Sequence, residues 1–534
     1  MLSNLFFTTN IKINSLLEVK LYMEALKIVP TASQKKKDAP LDMIAKRRTQ
    51  EQIVAIAGAI GSGLPEVSIR IEESFKKFGY TVIRIKASDL ILEAIKSLID
   101  SKRLSPDKFK IAGLEKESSD RIRNLQDMGD YLRASYGLDI VSQLFIKKIS
   151  ADRQAAITDE EAEKGEAHKV SRPFVWILDS LKHPEEVKLL RAVYDKMFSL
   201  FGVLCPFEAK KHNLVNQMGL REDQAIELIK RDESEDIAHG QKLIKTLQFG
   251  DFFLRSSQYE TERQIRSIER FVKILLGDHS VTPTHGEYAM YLAQSAAYRS
   301  GCMSRQVGAA VMNRGIVATG FNDVPQAGGG LYTEDSEKDA RCFVLSGNKC
   351  RNDFKKSHLK EKLKEFAASF GATLSNDNMD TFFEVTGLND LTEYCRAVHA
   401  EMDAITSAAR KGISLLNGTM YVTTYPCHNC AKHIISSGIK KVYYIEPYEK
   451  SQATALHDDS ICTYSGCSGV EFLPFEGVAP SQYQNRFRSM TSKKADGKFV
   501  KIKLGEETAA YAQLLDCFVD YEVKIVDILV ENGL

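Results

Sequence analysis

His399-Ala400-Glu401 and, 25 residues after Glu401, Pro426-Cys427-His428-Asn429-Cys430 decide how this chain is read. Together they supply one imidazole, two thiols of a C-x-x-C pair and one carboxylate. Cys427 and Cys430 are three apart, so a helix starting there puts both sulfurs on one face. Thr419-Met420-Tyr421-Val422-Thr423-Thr424, rich in β-branched and aromatic residues, predicts a strand. Cys427 to Ser437 then predicts a helix that Gly438 stops. Both sulfurs fall in its first turn, where free N–H groups and the helix dipole favour thiolate over thiol. A second helix is predicted over Ala400–Arg410, closed by Gly412, with His399 and Glu401 at its start. Two helix N-termini facing each other gather one nitrogen and two sulfurs to a single metal. Three protein ligands leave the fourth tetrahedral position to water, which separates a catalytic zinc site from a closed structural one.

Glu401 stands two residues from a ligand, a position suited to proton transfer. H-x-E followed by P-C-x-x-C resembles the signature of the zinc nucleobase deaminases. That resemblance makes His399, Cys427 and Cys430 the ligands of Zn2+ and Glu401 the catalytic acid and base. Glu401 then carries a proton from the attacking water to ring N3 and on to the departing ammonia, as C4 of cytosine is attacked. The plainer readings are a structural zinc knuckle completed by Cys395 or His428, or chance Cys and His on a core face. Neither gives Glu401 a task.

A chain of 534 residues is too long for one ordinary core, which predicts two domains plus extensions. Apolar residues make up 43% and charged ones 27%, the balance of a soluble globular protein. Lys plus Arg number 72 against 71 for Asp plus Glu, which argues against a strongly basic nucleic-acid binder. No apolar run approaches the roughly 20 residues needed to span a bilayer. The N-terminus lacks a signal-peptide layout, and ten cysteines fit a reducing cytoplasm better than a disulfide scaffold. Residues 1–45, with Lys35-Lys36-Lys37 near their end, read as a solvated, partly disordered leader.

Residues 46–250 open with Gln52–Ala57, a buried strand, followed by Gly58-Ala59-Ile60-Gly61-Ser62-Gly63. A helix with Val67, Ile71, Phe75 and Phe78 on one face, and a strand over Thr81–Ile85, complete the βαβ opening of a P-loop fold. A full phosphate loop requires Lys and Ser/Thr where this chain has Leu64 and Pro65, so efficient phosphoryl transfer is not expected. The turn, through Gly58, Gly61, Ser62 and Gly63, is a candidate cradle for a nucleotide. Asp179, ending the apolar run Pro173–Asp179, stands where Mg2+ would lie. The plain alternatives are a glycine turn with no ligand and a helix-capping Asp. Lys230-Arg231-Asp232-Glu233 resembles the lid of the nucleoside monophosphate kinases; a solvated helix face is the alternative.

Residues 251–283 read as a helical connector, and 284–500 as the zinc-binding domain. Strands over Val307–Met312, Ile316–Gly320, Lys441–Ile445 and Val470–Leu473, separated by helices, predict a mixed sheet with helices on both faces. A polar insertion spans 328–392; its Cys342, Cys350 and His358 read as unliganded, because no C-x-x-C pair occurs there, with a second zinc site as the alternative. Residues 501–534 read as a helical tail.

With Arg305-Gln306-Val307-Gly308-Ala309, Gly320-Phe321-Asn322 and Lys441-Val442-Tyr443-Tyr444 in order around the zinc motif, residues 285–475 resemble the deoxycytidylate deaminase family. That likeness assigns Asn322 to the sugar or base, Arg305 and Arg396 to phosphate, and Tyr443 and Tyr444 to the pocket border. Asp323 replaces the family's glycine after the asparagine, so the pocket rim is expected to differ. The whole layout resembles the two-domain bacterial anti-phage dCTP deaminases. It implies an α/β fold of a P-loop kinase-like parallel sheet followed by a cytidine deaminase-like α/β/α domain. It also implies dCTP or dCMP as substrate, a regulatory N-terminal half sensing a nucleotide or RNA, and a homo-oligomer. The rival readings are a base-flipping RNA or DNA editing deaminase, a nucleotide kinase, and a sensor with structural zinc. Neutral net charge weighs against the first, Leu64 and Pro65 against the second, and Glu401 against the third.

Overall fold

Gln52–Gly58 is buried at all seven positions, as a strand covered on both faces requires. It forms β1, the centre of a parallel sheet with β2 (Thr81–Lys86), β3 (Phe174–Asp179), β4 (Phe198–Leu204) and β5 (Phe252–Arg255), ordered β5-β4-β1-β3-β2. β1 and β3 are neighbours, with Ile56 opposite Asp179. The computed structural model describes residues 49–534 except 110, 112–118, 157–172, 234–238, 257–260, 346–349, 389–393, 449–450, 489–492, 496, 502–503 and 505–517. The leader expected over 1–45 lies outside the described residues.

After the glycine turn comes α1 (Leu64–Lys76), with Pro65 in its first turn, where a missing N–H costs nothing. Val67, Ile71 and Phe75 are buried on its inner face, as their spacing predicts. Then come α2 (Ser119–Tyr136), α3 (Ile140–Ala156), α4 (Glu222–Glu233) and α5 (Thr261–Leu275). Residues 251–283 are not a connector. They contribute a strand and a helix to this first sheet: β5 pairs with β4, and α5 buries Ile268, Phe271, Val272 and Leu275 in its core. A four-residue strand is too short to display a period, which is why it was illegible.

The second sheet contains β6 (Gly308–Met312), β7 (Ile316–Phe321), β8 (Thr419–Thr424), β9 (Lys441–Glu446), β10 (Ile461–Cys462) and β11 (Val470–Pro474), ordered β10-β11-β9-β8-β6-β7. β8, β9, β11 and β10 run parallel, and β6 is antiparallel to both of its neighbours. Side chains alternate between its faces. Ala310 and Tyr421 share a core with α6 (His285–Ala297), whereas Ala309, Val311 and Val422 face the other way. In the insertion, α7 (Arg351–Ser369) buries no residue, and against that second face pack α8 (Ala400–Arg410) and α9 (His428–Ser436). The fold is thus the expected mixed α/β pair of parallel-dominated sheets.

Boundaries drawn at 284, 500 and 501 are crossed twice. β12 (Gly477–Val478) pairs antiparallel with β5, adding a sixth strand to the first sheet. α10 (Val519–Glu531) returns to α3, placing Phe518 and Leu529 in the first sheet's core. There Arg153 bridges Glu51 at 3.0 Å and Glu522 at 2.5 Å, all three buried. Trp176 Nε1 donates to Glu51 at 2.9 Å and the Tyr194 hydroxyl to Glu522 at 2.7 Å. Residues 48–534 form one compact unit. Among the described residues no helix is long and apolar enough to cross a membrane. Among the described residues Cys462 and Cys467 form a disulfide and seven cysteines are free.

Candidate active site

The end of β7 sets one half of the site. A Cβ at Gly320 would lie 2.3 Å from the Ala400 carbonyl oxygen and 2.4 Å from the Ala404 nitrogen, so only glycine lets α8 lie this close to the strand. Asp403 of α8 accepts the Phe321 N–H at 3.3 Å, and the Val398 N–H reaches the Asp323 carbonyl at 2.9 Å. These contacts seat His399 at the N-cap of α8 and Glu401 in its first turn. The other half comes from β8, which delivers Cys427 through Tyr425-Pro426. Cys427 is the N-cap of α9 and Cys430 lies in the first turn, as the spacing predicts.

His399 Nδ1 lies 3.3 Å from Cys427 Sγ and 3.3 Å from Cys430 Sγ. The three ligand atoms all fall within 4.8 Å of one another, and among the described residues this is the group able to hold a metal ion. Cys395 and His428 are not members of it. Hydrogen bonds donated by the His399 ring to the Cys395 and Cys427 sulfurs push the ring up to about 11. The Cys430 hydrogen bond, with the His399 ring alongside, pulls the Cys427 thiol down to about 4 against the effect of burial. Burial, reinforced by Cys427 and Glu401, pushes Cys430 up. One imidazole nitrogen and two sulfurs thus stand in mutual contact. The donor set fits zinc. Glu401 is 4% exposed, and burial raises its carboxyl above the usual range.

A cavity of about 390 Å³ opens over this group, within the range of small-ligand sites. His399, Glu401 and Cys427 line it, and Arg305, Arg351, Lys356 and Arg396 add four cations. Arg305 is exposed, with its guanidinium 5.7 Å from the Tyr448 ring. Arg396 donates to the Ala340 carbonyl at 2.7 Å. Asn322 lines the cavity, but its amide is used by the protein: Oδ1 accepts the Val307 N–H at 2.7 Å and Nδ2 donates to the Arg305 carbonyl at 2.8 Å. These two bonds fasten the segment carrying Arg305. Asp323, buried, accepts the Gly301 N–H at 2.8 Å and ties down the adjacent loop.

Tyr443 and Tyr444 lie outside the cavity lining. They stack on Tyr421 and pack edge-on against Tyr425, and it is Tyr425 and Tyr448 that border the cavity. Arg351, Lys356, Tyr425 and Tyr448 were not singled out from sequence. Tyr425, immediately before Pro426, carried a signal in its position; the two insertion cations carried none. His358 is exposed and faces Glu361, whereas Cys342 and Cys350 border the cavity.

The glycine turn of the first sheet differs from the expected cradle. Gly61 has φ +78, and a Cβ there would meet the Lys210 carbonyl oxygen at 2.7 Å. Ser62 is fully buried, and its hydroxyl donates to the Ala59 carbonyl at 2.5 Å. The Ile60 N–H donates to the Asp232 carboxylate at 2.7 Å, and Lys182 Nζ reaches the same oxygen at 2.7 Å. The turn therefore already holds an anion belonging to the protein. Gly61, Gly63 and Asp179 border an adjacent cavity, whereas Gly58 and Ser62 do not. The lid-like run is locked in place: Arg231 pairs with Asp127 and Asp130, Asp232 sits in the turn, and Glu233 pairs with Lys210.

Residues 283–446 match the family described as the cytidine and deoxycytidylate deaminase zinc-binding region. The deoxycytidylate deaminase of Enterobacteria phage T4 is 34% identical over 168 residues, which is 30% of this chain and 78% of that protein. That of Mycobacterium phage D29 is 29% identical over 166 residues, covering 30% and 94%. A dCMP deaminase structure from cyanophage S-TIM5 shares 20% identity over 36% of this chain and all of that one, at a TM-score of 0.21. Residues 283–446 are, by that family match, a deaminase-family domain. The chain belongs to the deoxycytidylate deaminase family.

Proposed function

We propose that this chain is a zinc-dependent hydrolase of free deoxycytidine nucleotides, converting dCTP, dCMP or both to the uracil nucleotide and ammonia. One observation carries the reading: the buried carboxyl of Glu401 stands beside a His/Cys/Cys group in a cavity lined by four cations. His399 Nδ1 and the two sulfurs would hold a zinc ion, which would supply Lewis acidity and lower the pKa of the attacking water toward neutrality. Glu401 accepts a proton of the attacking water on its carboxylate. It returns one proton to ring N3 and conveys another to the amine leaving C4, so that water and the amine exchange at that carbon. Burial, by raising the carboxyl, makes it able to hold each proton between transfers. Arg305, Arg351, Lys356 and Arg396 offset the phosphate charge, and Tyr425 and Tyr448 flank the base or sugar.

The likeness to two-domain anti-phage deaminases extends the proposal. The enzyme is a cytoplasmic homo-oligomer that draws down the deoxycytidine nucleotide pool against phage, with the first sheet as its regulatory half. The test is ammonia release from purified protein offered dCTP, dCMP, CTP and cytosine-containing oligonucleotides, with E401Q alongside. Turnover of the free deoxynucleotides, lost in E401Q, supports the proposal. Turnover confined to oligonucleotides would replace it with an editing reaction.

A further inference from the structure

Arg305 and Tyr448 border more than the catalytic cavity. They also line a second one, of about 730 Å³, whose other walls come from Pro447 and from residues between 183 and 249 of the first sheet's half. Among the described residues these two alone are common to both. The second cavity is cationic, with Lys188, Lys242, Lys245 and Arg305 against Glu185 and Glu233. Both acids are engaged, Glu185 by Lys188 at 2.7 Å and Glu233 by Lys210, which lies outside the lining. His183 adds no charge at neutral pH: its Nδ1 accepts the Glu185 N–H at 3.2 Å, and burial lowers the ring. Lys242 and Lys245 lie on one anchored segment. The Lys242 N–H donates to the Lys182 carbonyl at 2.9 Å, and Leu243, Thr246 and Leu247 are buried. Lys245 itself is exposed and, among the described residues, makes no ion pair.

Across the shared border the sign is the same. Besides its metal ligands, the catalytic cavity sets Arg305, Arg351, Lys356 and Arg396 against Asp323 and Glu401. Adjoining concave surfaces of one sign focus the field on an anion that spans them. A single phosphate beside Arg305 ends at the border, whereas a chain of phosphates continues past it. We propose, on the footing of the deaminase reaction, that the first sheet's half completes the substrate site. Lys242 and Lys245 hold the outer phosphates of a deoxycytidine triphosphate whose inner phosphate meets Arg305 and whose base lies over Glu401. The two lysines select by the length of the phosphate chain and take no part in the proton transfers.

The test pairs calorimetric titration of the full E401Q chain with kcat/KM of the active enzyme, each for dCMP, dCDP and dCTP. K245E and K245R are made in both backgrounds; the exposed side chain lets either substitution leave the core intact. A preference for dCTP over dCMP of about tenfold, the value of one charge-assisted hydrogen bond, is expected in affinity and in KM. K245E should abolish it and K245R retain it. Equal or tighter binding of dCMP, or a preference for dCTP that K245E leaves in place, would overturn this inference while the deaminase reaction stands. Turnover of none of the three by the active-site-intact enzyme would overturn both.

Discussion

Gly320→Ala is the most searching perturbation of the link between fold and site. The added methyl would meet the Ala400 carbonyl oxygen at 2.3 Å and the Ala404 nitrogen at 2.4 Å. Ordinary carbon–oxygen contact is roughly 3.3 Å, so α8 must retreat by about 1 Å. Both obstacles are backbone, and no rotamer change absorbs the clash. Overpacking of this kind costs about 1–3 kcal/mol. The same retreat carries His399 and Glu401 away from Cys427 and Cys430, and a displacement of about 1 Å at a reacting group costs roughly a hundredfold in rate. Thermal unfolding, zinc content and deamination kcat/KM of G320A measured together check this reasoning. A lowered Tm, depleted zinc and a rate loss near two orders of magnitude are expected. Wild-type values for all three would refute the claim that the strand–helix approach positions the site.

Three further outcomes are expected. R153M strands the buried carboxylates of Glu51 and Glu522 and should lower stability by roughly 3–5 kcal/mol, with E51Q and E522Q added together restoring most of it; calorimetry is the readout, and a mild effect would mean that α10 is not held by this network. R305A should raise KM for deoxycytidine nucleotides about tenfold, the value of one charged hydrogen bond, while leaving kcat nearly unchanged; steady-state kinetics with nucleotide and unphosphorylated nucleoside distinguishes phosphate contact from general disruption. Burial raises the Asp179 carboxyl in the folded protein, opposed by Lys86 and Lys182, so the native state holds its proton to higher pH than the unfolded chain does. Wild-type stability therefore falls as pH rises through that folded value, and D179N should have the higher Tm at pH 7, with the gap closing toward about pH 4, the unfolded value.

The zinc-type group was legible because metal ligation ties residue type to short spacing: C-x-x-C at a helix start and H-x-E at another survive any rearrangement of loops. The central strands were legible too, since Gln52–Gly58 and Phe174–Asp179 are apolar at nearly every position. What escaped depends on contacts distant in sequence. Asp232 lies 172 residues from the turn it fills, and no local pattern announces that pairing. Asn322 was placed at the cavity, but which of its amide atoms remain available is decided by Val307 and Arg305. Tyr443 and Tyr444 were matched to the border by the family likeness alone, whereas the pleat turns one onto Tyr421 and the other onto Tyr425. Arg351 and Lys356 reach the site from an insertion whose α7 buries nothing, so hydrophobic periodicity had nothing to report.

The most direct measurement couples zinc to turnover in one preparation. Zinc per chain and conversion of dCTP and dCMP to dUTP and dUMP would be followed before chelation, after it, and after zinc is restored, for wild type, C427S and E401Q. The expected result is one zinc per wild-type chain with activity that leaves and returns with the metal, C427S lacking both, and E401Q holding zinc while inactive. Activity that persists in the zinc-free protein, or a zinc-loaded E401Q as fast as wild type, would contradict the assignment of His399, Cys427, Cys430 and Glu401.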